Sequence, residues 1–205
     1  MTPPDRRRFL ATSVAAPLAA LVAAALPTAG RAQAAFDLVA LMQLLGTIKS
    51  GEATFTETRR VEMLERSLQS SGKLSFESPD SFVRETLKPR RERIAVVGDV
   101  VTMSQGSHSR TVTLDSVPEA AVIVEAIRGT LTGNRDAIER NFSATVTGNA
   151  AQWTLELVPR MARLRELVVS VRVGGTQALV REVIVAMSDG DRSVMSITPT
   201  SSVPR

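Results

Sequence analysis

One histidine, His108, and no cysteine set the outer limit on the chemistry this 205-residue chain can do. A single imidazole cannot build a multi-histidine metal site, and a Ser-His-Asp relay would have to run through it. His108 stands in Ser107-His108-Ser109 between two stretches of strand character, where a solvated turn residue is the common outcome. The lack of cysteine excludes thiolate nucleophiles, iron–sulfur clusters and thiolate zinc sites. Asp189-Gly190-Asp191 could touch a cation, but a hairpin turn accounts for the same residues. Arg59-Arg60 and Arg90-Arg91 could attract lipid headgroups or an acidic partner, or could be solvated strand ends. No glycine-rich phosphate loop, nucleophile elbow or distinctive carboxylate pair is present. The residues point away from an enzyme and toward binding with no cofactor and no metal.

The N-terminus says where such binding would occur. Arg6-Arg7-Arg8-Phe9-Leu10 precedes an alanine-rich apolar stretch over 11–26, and Ala32-Gln33-Ala34 offers a small-x-small cleavage site. The head fits the twin-arginine pattern, and Pro17, Pro27 and the short span argue against a membrane anchor. Residues 1–34 are therefore expected to be a cleaved export signal, with the mature chain working in the periplasm. The signal's four arginines, set against Asp5, hold three of the four net positive charges, so the mature chain is nearly neutral. With no Tyr and one Trp it also lacks stacking platforms for bases, and nucleic acid is excluded as a partner.

What remains is the size of one domain, expected over 35–198 with a disordered tail at 199–205. No disulfide is available to it, so its core alone must hold the fold. Leu38, Leu41, Met42, Leu45 and Ile48 recur at helical spacing, with Asp37 and Lys49 placed to suit the helix dipole and Gly51 as the stop. Strand-like alternation follows: Ala53, Phe55 and Glu57 against Thr54, Thr56 and Thr58, then Gly72, Leu74 and Phe76 before Pro79. Residues 64–70 are ambiguous. Gly98-Asp99 predicts a hairpin between 94–97 and 100–103, and 111–114 a further strand. The period then lengthens from Val117-Pro118-Glu119 to Leu131, a helix with Ser116 as its expected cap, and 135–140 could be a second short helix. A meander closes the chain, with turns expected at Gly148-Asn149, Gly174-Gly175 and Asp189-Gly190.

The order is helix, strands, helix pair, strands. Such a sheet has no partner sheet of equal size, so it is expected to curl around the helices. The fold class is α+β: a curled antiparallel sheet forming an unclosed half-barrel covered by helices.

Phe55-Thr56-Glu57, then Gly72-x-Leu74, Pro79, Phe82, Pro89 and Gly98-Asp99, resemble the opening pattern of the LolA family, the periplasmic carriers of outer-membrane lipoproteins. The order of elements is similar across essentially the whole mature chain. The resemblance implies an apolar cavity between sheet and helices that accepts lipoprotein or other lipid acyl chains. It also implies a monomer making transient contacts with an inner-membrane donor protein and an outer-membrane acceptor. The chain departs from the family at Ser78, where a lid-locking Arg is usual, and at Val83, Arg84 and Glu85, where aromatic residues are usual.

Phe55, Leu74, Phe76, Trp153, Leu155, Leu157, Val169, Val171 and Val185 are the candidate cavity-lining residues. The same residues would serve an ordinary packed core, and a one-residue slip in register would exchange the faces. Val117, Val124, Ile127 and Leu131 are candidates for a mobile lid, or for a fixed helix packed on the sheet. Beside the carrier stands a second reading: a lipid-sensing or regulatory module docking a membrane protein's periplasmic segment.

Overall fold

The computed structural model describes residues 36–64 and 66–200. The expected export signal at 1–34 and residues 201–205 of the expected tail lie outside them. Among the described residues, eleven strands form one sheet and four α-helices accompany it.

Helix α1 (Leu38–Leu45) starts where Asp37 accepts a hydrogen bond from Ala40 N at 3.0 Å. It ends at Gly46, whose carbonyl accepts from Lys49 Nζ at 2.6 Å, so Gly51 is not its stop. Gly51 instead belongs to β1 (Ser50–Val61), which pairs along its full length with β2 (Arg66–Glu77). The ambiguous stretch after Leu64 is thus the start of a strand.

Strands β3 (Ser81–Lys88), β4 (Glu92–Val97), β5 (Val100–Gln105) and β6 (His108–Thr113) continue as antiparallel neighbours. Gly98, at φ +56°, makes the expected β4–β5 turn. Helix α2 (Pro118–Thr132) has Pro118 in its first turn, but Val117 is its cap; the Ser116 hydroxyl donates to Thr113 O instead. Helix α3 (Arg135–Asn141) is capped by Asn134, whose side chain accepts from Ala137 N.

The meander follows as β7 (Phe142–Asn149), β8 (Gln152–Pro159), a single-turn α4 (Ala162–Arg165), β9 (Val168–Thr176), β10 (Leu179–Met187) and β11 (Arg192–Pro199). Gly174-Gly175 lies inside β9 rather than at its end, and the turn falls after Thr176, where Gln177 has φ +52°. Pro199 pairs with Ala53, so the strand reaches into the expected tail.

The pairing of β1 with β11 joins the two halves, and β6 and β7 remain as the unpaired edges of an unclosed sheet. Helix α1, before β1, and helices α2 and α3, inserted in the chain between β6 and β7, supply what the concave face needs. Leu41 and Leu45 of α1, Val122 and Ala126 of α2 and Ile138 of α3 pack with Trp153, Leu155 and Leu157 into the main core. The helices meet closely because two positions carry no side chain. A Cβ at Gly133 (φ +64°) would stand 2.7 Å from Gly46 Cα, and one at Gly129 2.7 Å from Ile138 Cδ1. A smaller core of Val96, Val101 and Leu114 lies under the other flank of α2, against Ala121 and Val124. Among the described residues no helix is long and apolar enough to cross a membrane.

Candidate functional site

Between these two cores the concave face is not filled. A cavity of about 930 Å³ lies between the inner faces of β1–β4, β10 and β11 and the underside of α2. That is at the upper end of the roughly 300–1,000 Å³ usual for small-molecule sites. Alternation decides which side chains face it. On β1 the inward register runs Gly51, Ala53, Phe55, Glu57, Arg59, and the directly opposed residues of β2 and β11 share that face.

Of the expected lining residues, Leu74, Phe76 and Val185 border the cavity, and Val124, Ile127 and Leu131 close it from α2. Phe55 faces the same way but is covered, with the Arg84 guanidinium 4.8 Å above its ring centroid. Trp153, Leu155, Leu157 and Val171 belong to the solid core instead, because α1, α2 and α3 occupy the concave face over β8 and β9. Val117 caps α2 and does not border the cavity.

Val169 is a correction of another kind. It is 47% exposed on the convex face. Between Ala186 and Met187 the pairing slips: Ser170 faces Ala186 while Val168 faces Met187, leaving Val169 as the extra residue of a β-bulge. Val168 and Val171 are therefore both buried, a spacing of three that strict alternation cannot give.

Several lining residues went unsingled in the sequence. Phe82, Ile94 and Val96 of β3 and β4 and Ile123 of α2 extend the apolar wall. A charged group interrupts it. Glu57 Oε2 accepts from Arg84 Nη2 at 2.5 Å and from Ser70 Oγ at 3.0 Å, while Oε1 accepts from Ser193 Oγ at 2.5 Å. Burial pushes the Glu57 carboxyl up, but the Ser193 hydrogen bond, the Arg84 charge and the Ser70 hydroxyl together outweigh it and hold it below the ordinary carboxylate range. Arg84 Nε is buried with no hydrogen-bond partner among the described residues.

Next along the wall, Arg59 Nη2 meets Asp191 Oδ2 at 2.7 Å, and Asp191 Oδ1 accepts from Glu62 N. The Arg59 hydrogen bond, with the Glu62 N–H behind it, holds the Asp191 carboxyl below its usual range. Asp189-Gly190-Asp191 is thus a turn that delivers a paired carboxylate. Among the described residues no group of three or more His, Asp or Glu could hold a metal ion. The signal for the charged wall was present in Glu57 itself, a carboxylate in the same register as Ala53 and Phe55.

Helix α2 is held over the cavity by its own arginine. Arg128 Nη2 donates to Gly98 O in the β4–β5 turn, and Nη1 pairs with Glu125 at 3.0 Å and lies 3.8 Å from Asp99. Ser78, at the β2–β3 turn, donates its N–H to Lys49 O.

The described residues thus form an unclosed antiparallel half-barrel whose helix α2 roofs an apolar cavity. The family model for outer membrane lipoprotein carrier protein LolA-like matches residues 29–198, and the chain belongs to that family. Among curated proteins, none matches it. Solved structures of similar fold include a LolA superfamily protein from Nitrosomonas europaea, 9% identical, with a TM-score of 0.45 over 82% of this chain and 95% of that one. The Pseudomonas aeruginosa MucA/MucB complex is 12% identical, with a TM-score of 0.42 over 82% of this chain and 57% of that one. The Mycobacterium tuberculosis lipoprotein LppX is 7% identical, with a TM-score of 0.41 over 82% and 98%.

Proposed function

We propose that this protein is a periplasmic carrier that hides the acyl chains of a lipoprotein or another lipid in its cavity and moves them between inner and outer membrane. It performs no covalent chemistry. Residues 1–34 act as its cleaved export signal and 35–198 as the single carrier domain. Donor and acceptor membrane proteins touch it transiently.

The observation that carries this reading is the unfilled space under α2, walled by Leu74, Phe82 and Val185 on the sheet and Val124, Ile127 and Leu131 on the helix. An acyl chain of about 16 carbons costs roughly 13 kcal/mol to expose to water, at about 0.8 kcal/mol per CH₂. A shuttle must remove most of that cost yet release the chain, which calls for an apolar chamber with a cover that can move. Helix α2 has that character: Val122 and Ala126 anchor it in the main core, while over the cavity's other flank it is held by Ala121 and Val124 on the smaller core and by the Arg128 bond to Gly98.

Native mass spectrometry of the protein purified from a periplasm without detergent, with lipid extraction alongside, tests the proposal. Bound lipid or acylated peptide near one per chain is expected, and Ile127→Glu should fold and lose it. A lipid-free protein that takes up no fluorescent fatty acid would sink the carrier and favour a module that docks a membrane protein by its surface.

A further inference from the structure

The two ends of the sheet carry opposite charge. Every strand pair is antiparallel, so the β1–β2, β3–β4, β5–β6, β8–β9 and β10–β11 connections all lie at one end, with the start of β7 beside them. Contacts between these turns make most of that end one surface. A Cβ at Gly190 of the β10–β11 turn would stand 3.1 Å from Glu62 Cγ of the β1–β2 turn. Ser188 donates its N–H to Leu167 O and its hydroxyl to Glu166 O, which brings the β10–β11 turn against the segment that holds α4. Arg160 N–H in turn donates to Asn141 O at the end of α3.

This end holds Arg60 and Arg66 on the β1–β2 hairpin and Lys88, Arg90, Arg91 and Arg93 on the β3–β4 hairpin. Arg140 lies in the last turn of α3, Arg160, Arg163 and Arg165 stand in and before α4, and Arg192 opens β11. The carboxylates here are Glu62, Glu92, Glu166, Asp189 and Asp191, to which the sequence adds Glu65. Counting each connection with two residues of every flanking element, eleven cations face six carboxylates. The same count at the opposite end finds Glu77, Asp80, Asp99, Asp115 and Glu119 against Lys49 alone. Arg128 reaches that end from within α2, but it is paired with Glu125. A nearly neutral domain is thus a charge dipole along its strands. At the basic end Arg90, Arg91, Arg140 and Arg163 are exposed and make no ion pair among the described residues, whereas Glu62 and Asp191 are engaged by Arg60 and Arg59. The same surface presents the two most exposed large apolar side chains of the described residues, Met63 at 93% on the β1–β2 turn and Met161 at 62% before α4.

We propose that this end is a docking surface for an anionic phospholipid bilayer, its arginines resting on the headgroup phosphates and Met63 and Met161 entering the interface between them. Cations spread over several separate turns match an extended charged plane, and arginine's planar fork suits phosphate oxygens. The two methionines gain nothing in water, but an apolar layer beneath the phosphates gives both a place to bury. The acidic end is repelled by the same bilayer, so the dipole decides which way the molecule lands. The docking goes beyond the carrier reading and does not depend on what the cavity holds.

The protein, purified after export, is sedimented with vesicles of phosphatidylcholine alone and with vesicles of phosphatidylcholine and phosphatidylglycerol in equal parts. Binding is expected on the anionic vesicles only, fading as salt is added. Arg140→Gln combined with Arg163→Gln should weaken it roughly fivefold for each charge removed. Arg181→Gln, near the other end of β10, should leave it unchanged. Because the chain has no cysteine, a single nitroxide label can be placed through Met161→Cys or Asp99→Cys. On anionic vesicles the label at 161 should be shielded from a water-soluble relaxation agent, and the label at 99 should stay accessible. Equal binding to both vesicles, no binding to either, indifference to the arginine pair, or labels of equal accessibility overturns the proposal. Capture by polyglutamate without retention on anionic vesicles overturns it too, and assigns the basic end to an acidic protein segment. None of these outcomes touches the carrier reading, which stands or falls on retained lipid.

Discussion

The Trp153 indole lies flat across Gly175 on the neighbouring strand. A Cβ at position 175 would overlap the ring, standing 2.7 Å from Cε2 and closer still to Cζ2. The indole Nε1 donates to Gln177 O at 2.7 Å, so the ring is pinned as well as packed. This contact explains why Gly174-Gly175 continues a strand instead of ending one. Gly175→Ala should destabilise the protein by about 2 kcal/mol, within the range for overpacking a core. Urea unfolding would show it as a lower midpoint with an unchanged slope, and a neutral result would mean the ring sits elsewhere.

Arg84 and Glu57 form a pair with little exposure on either side chain, 24% and 12%. Arg84→Met should cost about 3 kcal/mol, because it leaves the carboxylate desolvated without its counter-charge. The double change with Glu57→Gln should recover most of the loss. Calorimetry on the cycle checks this, and simple additivity would show that the two groups do not depend on each other.

The same carboxyl predicts a pH response. Its folded-state pKa lies below the unfolded value, so its stabilising contribution is complete above the unfolded pKa of about 4.3 and is lost as pH falls through the folded one. Glu57→Gln should therefore flatten the decline in melting temperature as pH falls below about 4.3, relative to the parent. Parallel curves over that window would remove Glu57 as a source of acid sensitivity.

Arg128 hydrogen-bonds α2 to the β4–β5 turn, beside the packing of Ala121 and Val124 on Val96 and Val101. Arg128→Ala should raise amide exchange along the C-terminal half of α2 several-fold, leave β8 and β9 protected, and speed release of bound lipid. Unchanged exchange in α2 would mean that packing, of Val122 and Ala126 on the main core and of Ala121 and Val124 on the smaller one, keeps it in place.

Val169 and Val171 should behave oppositely although they are two residues apart. Val171→Asp buries a lone charge and is expected to prevent folding, while Val169→Asp should change stability by less than about 0.5 kcal/mol. Comparable damage from both would restore strict alternation and abolish the bulge.

The sequence by itself determined a good deal. Element order, the helix with Asp37 at its head, the Gly98 and Gly190 turns and the antiparallel meander were all legible, because periodicity and turn chemistry are local. From them followed the unclosed α+β sheet with helices over it. Leu74, Phe76 and Val185 border the cavity, in keeping with their alternation along the strands. Local pattern cannot tell whether an inward side chain meets a helix or a void. Trp153, Leu155 and Leu157 alternate as cleanly as Leu74 and Phe76, yet α1, α2 and α3 lie over the former and leave the latter open. That choice depends on where helices land after the chain has closed β1 against β11.

Tertiary structure also decided the charged wall. Glu57, Ser70, Arg84 and Ser193 are spread over four strands and as many as 136 residues apart, and only registry between β11, β1, β2 and β3 brings them to one carboxylate. The bulge at Val169 arises the same way, from a mismatch with β10 that β9 alone does not contain. What was written locally was which faces are apolar; what had to wait for the fold was which part of the apolar face stays empty, since an unfilled volume is a property of several elements at once and of no single stretch of chain.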